Sequence, residues 1–312
     1  MPEKKNKAIR VFAPASVSNL GCGFDVFGLA LEMPGDEVTV KWSTSGKTFI
    51  HKIVGAGTSL PLDVDLNTAG VAVKELLQAT GEKRGMEISI KKKMPLGSGL
   101  GSSAASAVAA AYAANILLGK PFSKKELIPF VMEGERMACG SGHADNAAPS
   151  MLGGIVLVRS LNPLEVIQLP VPKKLSIVVV HPHVELLTRD SRAALNKNVP
   201  LKTATMQWAN TAALVAALYE NDLPALGRSV TDYVAEPVRA KLIPSFHSVK
   251  EAALLAGALA CSISGSGPSV FALCNNDEKA VASAMRKAFL KSGIRSDVYI
   301  SKVNTAGARQ IF

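Results

Sequence analysis

Residues 95–105 read Pro95, Leu96, Gly97, Ser98, Gly99, Leu100, Gly101, Ser102, Ser103, Ala104 and Ala105, and run straight into an alanine-rich stretch. Glycine leaves backbone N–H groups open to a charged ligand, and the first turn of a helix adds unpaired N–H groups of partial positive charge. That combination cradles an anion, and a phosphate is the guest it fits. A Walker loop is excluded, because Gly101 is followed by Ser102 and no lysine. A dinucleotide fingerprint can be laid on Gly99, Gly101 and Ala104, but the strand before it, residues 86–93, alternates apolar with polar and ends in Lys91, Lys92 and Lys93. A dinucleotide fold needs a strand that is apolar on both faces. The plain alternative is a glycine-serine turn that only enters a helix.

The elements around this loop are legible from periodicity. Residues 9–14 read as a first strand, followed by a small-residue loop at 15–23, an apolar run at 24–31 and a hairpin partner at 37–42. Leu66, Ala69, Val73, Leu76 and Leu77 keep helical spacing, with Asn67 as an N-cap candidate and Gly81 as the stop. Ser123 and Glu126 form a capping box with Phe122 and Leu127 as its staple, so a helix starts at Lys124, and Pro129 bends it. That helix carries Glu133 and Glu135 toward a loop at 139–146 that holds His143, Asp145 and Asn146. A strand follows at 155–158. Pro163, Pro170 and Pro172 then mark a linker, which sets the expected division into domains 1–168 and 169–312.

The second half predicts a doubly buried strand at 175–180, helices at 204–219, 223–230 and 246–255, and two strands around the turn at 265–268. A helix at 277–291 and a strand at 297–303 close it. Strands and helices of mixed length point to α+β layers rather than a doubly wound sheet.

Composition narrows the class. A chain of 312 residues with 19% charged and 48% hydrophobic residues folds, and it is long enough for two cores. Cys22, Cys139, Cys261 and Cys274 are scattered without metal spacing and read as reduced thiols. The basic start lacks an apolar core, so no signal peptide is expected and the location is expected to be cytoplasmic. The alanine run is too short and too weakly apolar for a bilayer, so no membrane partner is expected. The net charge of +10 is dispersed, and its three short runs, Lys4-Lys5, Lys91 to Lys93 and Lys173-Lys174, lack interleaved aromatics and read as a solvated surface. This argues against nucleic acid and for small anionic ligands.

Three small-residue loops, at 14–25, 95–105 and 263–268, stand in an order and composition that closely resemble the three motifs of the GHMP kinases. Within that superfamily the segments at 13–28, 143–150 and 236–244 are most similar to the homoserine kinase family. The resemblance implies an α+β, two-domain fold: an amino-terminal domain of the ribosomal S5 domain 2-like type and a carboxy-terminal ferredoxin-like domain, with the site between them. It implies transfer of the γ-phosphoryl group of ATP to the side-chain hydroxyl of L-homoserine, toward threonine. Ser103 and Glu135 would hold Mg²⁺, and Asn67 would lie near the adenine. Arg192 and Arg239 would grip the substrate carboxylate and Asp25 its ammonium. Asn19, His143, Thr188 and Gly265 would complete the pocket with Asp145 in it, and Asn146 would orient the hydroxyl, whose proton goes either to a phosphate oxygen or to Asp145 acting as a base, as an aspartate near this position does in some relatives. Mevalonate or shikimate as the alcohol, or a noncatalytic nucleotide sensor, are the alternatives. The sequence leaves the assembly open, with a homodimer as the working expectation.

Overall fold

A computed structural model describes residues 7–55, 60–140 and 142–312, without the side chains of Ala138 and Cys139. The Lys4-Lys5 pair and the Cys139 thiol therefore lie outside the described residues.

The first half runs β1 (Ile9–Ser18), β2 (Phe27–Trp42), β3 (Phe49–Val54), α1 (Thr68–Thr80), β4 (Met86–Lys91), α2 (Ser102–Leu117), α3 (Lys124–Cys139), α4 (Ala144–Leu152), β5 (Ile155–Leu161) and β6 (Leu164–Leu169). The second half runs β7 (Ser176–Pro182), α5 (Thr188–Ala193), α6 (Leu201–Glu220), α7 (Leu223–Ser229), α8 (Glu236–Arg239), α9 (Phe246–Leu255), β8 (Ala260–Ile263), β9 (Val270–Cys274), α10 (Glu278–Lys291), β10 (Ser296–Lys302) and β11 (Arg309–Ile311).

One sheet has the order β11-β1-β2-β4-β3, with β5 on the early half of β2 and β6 on β5. β1 and β2 pair antiparallel, and their register shifts between Pro14 and Ser16. Helices α2 and α4 pack on this sheet, and α1 and α3 pack against α2 and each other. In α2 the side chains are nearly all small, so the helix can be buried from Ala104 to Ala111 without a polar face. The capping box at Ser123 and Glu126 is formed, and Gly81 ends α1 in the left-handed region at φ 67°.

The other sheet has the order β10-β7-β9-β8, antiparallel throughout. Numbered within the second half, that is 4-1-3-2, the ferredoxin-like order. β7 is buried along its whole length, as its continuous apolar run requires.

Several expectations are corrected. The first strand does not stop at Pro14; it continues through Ser16 and Ser18, since an X-Pro pair is compatible with extended backbone. The proline-marked stretch holds a strand, β6, which pairs β5 as a hairpin. The loop at 139–146 ends earlier than expected, because α4 begins at Ala144 and so takes Asp145 and Asn146 into a helical first turn. β3 and α5 were not anticipated, and β11 returns from the chain end to pair β1 in the first sheet. Cys22, Cys261 and Cys274 are buried free thiols, and burial pushes the Cys22 thiol up to about 12. Among the described residues no helix is long and apolar enough to cross a membrane.

Candidate active site

A cleft of about 150 Å³ lies where the end of β1, the glycine loop, the start of α4 and the β8–β9 turn converge. Of the six buried side-chain polar atoms without a hydrogen-bond partner among the described residues, four belong to residues that line this cleft: Ser98 Oγ, Ser102 Oγ, Asp145 Oδ1 and Arg192 Nε. A buried polar atom without a partner costs about 1–3 kcal/mol. Their concentration in one place marks a surface built to meet a polar ligand.

The glycine loop forms one wall. Gly97, Gly99 and Gly101 all have positive φ, at 60°, 73° and 65°. A Cβ on Gly99 would sit 2.4 Å from the Ser264 carbonyl oxygen, and one on Gly101 would sit 2.2 Å from Ser16 Oγ. No other residue fits at either position. The loop is tied to the second sheet's turn, where Ser264 Oγ donates to the Gly99 carbonyl at 2.6 Å and the Ser269 N–H to the Ser98 carbonyl at 3.3 Å. Gly101 is the N-cap of α2, so the helix directs its free first-turn N–H groups and positive end at the cleft.

Beside that end, Ser103 Oγ donates to Glu135 Oε1 at 2.7 Å. Glu135 is buried, which pushes its carboxyl above the usual carboxylate range, against the Ser103 hydrogen bond and the Lys92 charge. Beneath the loop Lys92 is buried too. Its ammonium pairs with Asp36 and donates to the Ser102 carbonyl at 2.7 Å and to Ser106 Oγ at 2.9 Å, while Ser106 donates to Asp36 at 2.7 Å. Sequence reasoning missed this network by treating residues 91–93 as a surface run. The strand's alternation held the signal, since Lys92 follows Met86, Ile88 and Ile90 on the buried face.

The opposite wall is charged. Asp25, at φ 59°, faces Arg192 through a forked ion pair of 2.8 to 3.1 Å, and His143 Nδ1 lies 3.8 Å from the same carboxylate. His143 is pushed below its ordinary value by burial, opposed by the Asp25 charge and helped by Arg192 and Arg239. Arg239 is buried and donates to the Gly265 carbonyl at 2.9 Å, which also receives Asn19 Nδ2 at 3.0 Å. One carbonyl oxygen of the second sheet is thus held from both halves. Thr188 Oγ1 meets Ser266 Oγ at 3.2 Å in the first turn of α5.

Between the walls stand Asp145 and Asn146. Two alternate residues of β1 fix the amide: Ser16 Oγ donates to Asn146 Oδ1 at 2.8 Å, and Asn146 Nδ2 donates to Ser18 Oγ at 3.2 Å. Asp145 is buried, and burial, with the Asp25 charge adding to it, raises its carboxyl to about 7.

The cleft therefore brings together most of the expected residues. Pro95, Leu100, Ala104 and Ala105 frame the loop without lining the cleft. Asn67 also lies off the lining: its Oδ1 accepts from the Ala69 N–H at 3.1 Å and its Nδ2 donates to the Pro61 carbonyl at 3.1 Å, so it caps α1. Ser18 and Ser266, which line the cleft, were not anticipated. Ser18 alternates with Ser16 along β1, a pattern visible in the sequence.

The family models described as GHMP kinases N terminal domain and GHMP kinases C terminal match residues 67–154 and 214–291. The homoserine kinase of Chloroherpeton thalassium is 50% identical over 97% of this chain and 99% of its own. That of Chlorobaculum tepidum is 49% identical over 98% of each. The crystal structure of homoserine kinase from Cytophaga hutchinsonii superposes with a TM-score of 0.95 at 51% identity, covering 97% of both chains. Two matched domains and half the residues in common over nearly the full length, around a cleft with a glycine-rich wall, leave one conclusion: the chain belongs to the homoserine kinase family of the GHMP kinases.

Proposed function

We propose that the protein transfers the γ-phosphoryl group of ATP to the side-chain hydroxyl of L-homoserine, giving O-phospho-L-homoserine and ADP on the route to threonine. The observation that carries this reading is the sorting of the partnerless atoms. The Ser98 and Ser102 hydroxyls stand at the glycine end, Arg192 Nε at the charged end, and Asp145 Oδ1 between them. One end suits a triphosphate and the other an amino acid, so a hydroxyl on the amino acid meets the terminal phosphate between them.

Phosphoryl transfer needs in-line positioning and positive charge on the transferring oxygens more than covalent help. Backbone N–H groups of residues 97–103 and the end of α2 would receive the phosphates. Arg192 and Arg239 offer planar forks to the carboxylate, and Asp25 would exchange its Arg192 partner for the ammonium. Asn19, His143, Thr188 and Gly265 would complete the polar lining. Burial keeps the His143 imidazole neutral at pH 7, so it can act as a hydrogen-bonding group without adding a third cation.

The Ser103 hydroxyl and Glu135 carboxylate are hard oxygen donors 2.7 Å apart, a fit for Mg²⁺ with water and phosphate oxygens in its remaining positions. Bound there, the ion would neutralise charge on the transferring phosphates. Asn146 would orient the attacking hydroxyl. The hydroxyl oxygen forms the new bond to phosphorus, the bond to the ADP oxygen breaks, and the hydroxyl proton passes to a phosphoryl oxygen, since an amide is no base at neutral pH. We further propose that the cleft divides domains 1–168 and 169–312, and that the reaction takes place in the cytoplasm, where ATP is supplied.

The test is product identification. Protein, Mg-ATP and L-homoserine followed by phosphorus-31 NMR are expected to give a new phosphomonoester resonance. Inorganic phosphate as the sole product would reassign the protein to ATP hydrolysis.

A further inference from the structure

Phe24 precedes Asp25 in the loop between β1 and β2, and two guanidinium groups lie against its ring. The Cζ of Arg192 is 5.3 Å from the ring centroid and the Cζ of Arg239 is 5.1 Å. Both lie within the range of about 6 Å over which a ring's negative face attracts a cation. The two arginines come from different helices, α5 and α8, and the charge of Arg192 adds to burial in weakening the proton affinity of Arg239. Left alone, such a pair separates. The Asp25 charge attracts both, but its hydrogen bonds engage Arg192 alone. Arg239 donates instead to two neutral acceptors, the carbonyls of Gly265 and Ser191. The Nε of Arg192 is buried with no partner, so its guanidinium is not fully satisfied by the protein. Phe24 is the side chain whose ring both guanidinium groups lie against, and the peptide that follows it is held in turn, since Asp25 N–H donates to Asn19 Oδ1 at 3.1 Å.

We propose that Phe24 is a positioning residue for carboxylate recognition: its ring holds the guanidinium groups of Arg192 and Arg239 converged on one carboxylate, and so sets the preference for an amino acid over an amine or amide. The inference rests on reading the charged end as the amino-acid subsite. A ring is suited to this place because it offsets the repulsion of two cations without adding a negative charge that would repel the carboxylate.

Phe24→Leu keeps apolar bulk and removes the π face, while Phe24→Tyr keeps the face. The measurements are kcat, KM for L-homoserine, KM for ATP, and calorimetric binding of L-2-aminobutyrate, which carries the ammonium and carboxylate without the acceptor hydroxyl. In Phe24→Leu the KM for homoserine and the Kd for aminobutyrate are expected to rise about threefold to thirtyfold. Turnover and the KM for ATP stay within about twofold, and Phe24→Tyr restores wild-type values. Unchanged homoserine KM, an equal rise in the KM for ATP, or failure of the tyrosine to restore binding would overturn the assignment. If the wild type does not turn over homoserine but binds aminobutyrate, and Phe24→Leu weakens that binding, the positioning role stands while the proposed reaction falls. If the wild type binds neither compound, both fall.

Discussion

The two walls of the cleft are built on opposite principles. The glycine wall is one contiguous segment, and three left-handed glycines set its shape. The charged wall is assembled from distant pieces: Asn19 and Asp25 follow β1, His143 precedes α4, Arg192 lies on α5, Arg239 on α8, and Gly265 in the β8–β9 turn. The difference has a functional meaning. A backbone cradle fails as a unit when its path is disturbed. A wall of separate side chains fails one contact at a time, and on the proposed reading each loss touches only the amino acid.

The largest expected effect breaks the cradle. Gly101→Ala adds a Cβ 2.2 Å from Ser16 Oγ at φ 65°, and Ser16 in turn holds Asn146. Displacement of reacting groups by about 1 Å costs roughly a hundredfold. Steady-state kinetics should therefore show kcat/KM down by about a hundredfold or more for both substrates. A loss confined to homoserine would erase the distinction between the walls. Next comes Arg239→Lys, which keeps the charge and loses the fork. Hydrogen bonds to charged groups contribute about 1.5–3 kcal/mol, so the KM for homoserine should rise about tenfold to a hundredfold with the KM for ATP unmoved.

A smaller effect is a pH dependence of stability at the junction of the walls. The Asp145 carboxyl titrates near 3.8 in the unfolded chain and at about 7 in the fold. Between those values the folded state holds a proton that the unfolded state has released. Stability therefore falls as pH rises through this window, and the loss is complete above about 7. Thermal denaturation of Asp145→Asn beside the wild type should show a gap that widens from pH 4 to pH 7 in favour of the variant. A constant gap would mean that Asp145 is ionised throughout. The smallest effect sharpens the edge of the cradle: Asn67→Ala should lower stability by about 1 kcal/mol through loss of the α1 cap. Its KM for ATP should stay within about twofold, and a larger rise would bring Asn67 into the nucleotide site.

This contrast also explains what the sequence disclosed. The cradle was legible because its chemistry is local: residues 95–105 are adjacent in the chain and in space, and glycine's conformational role is written in its type. The capping box at Ser123 was legible for the same reason, since it follows from short-range pattern, whereas the ferredoxin-like order of the second half is long-range topology that only the family resemblance implied. The charged wall was not legible either. Asp25, Arg192 and Arg239 are ordinary polar residues until the fold brings them together, and only the family resemblance singled them out. Lys92 was misjudged because its neighbours Lys91 and Lys93 suggested a solvated run, although strand alternation turns it inward against Asp36. β6 was hidden by the prolines around it, which mark the ends of its hairpin rather than a structureless linker.

The central claim is that one wall binds ATP and the other selects an amino alcohol that carries both a carboxylate and an ammonium. It is tested most directly by ADP release from Mg-ATP with L-homoserine, mevalonate, shikimate and galactose offered in turn to the purified protein. The account predicts a kcat/KM for L-homoserine at least about a hundredfold above each of the others, because none of them offers an ammonium to Asp25. Equal or greater stimulation by mevalonate, or none by homoserine, would contradict it.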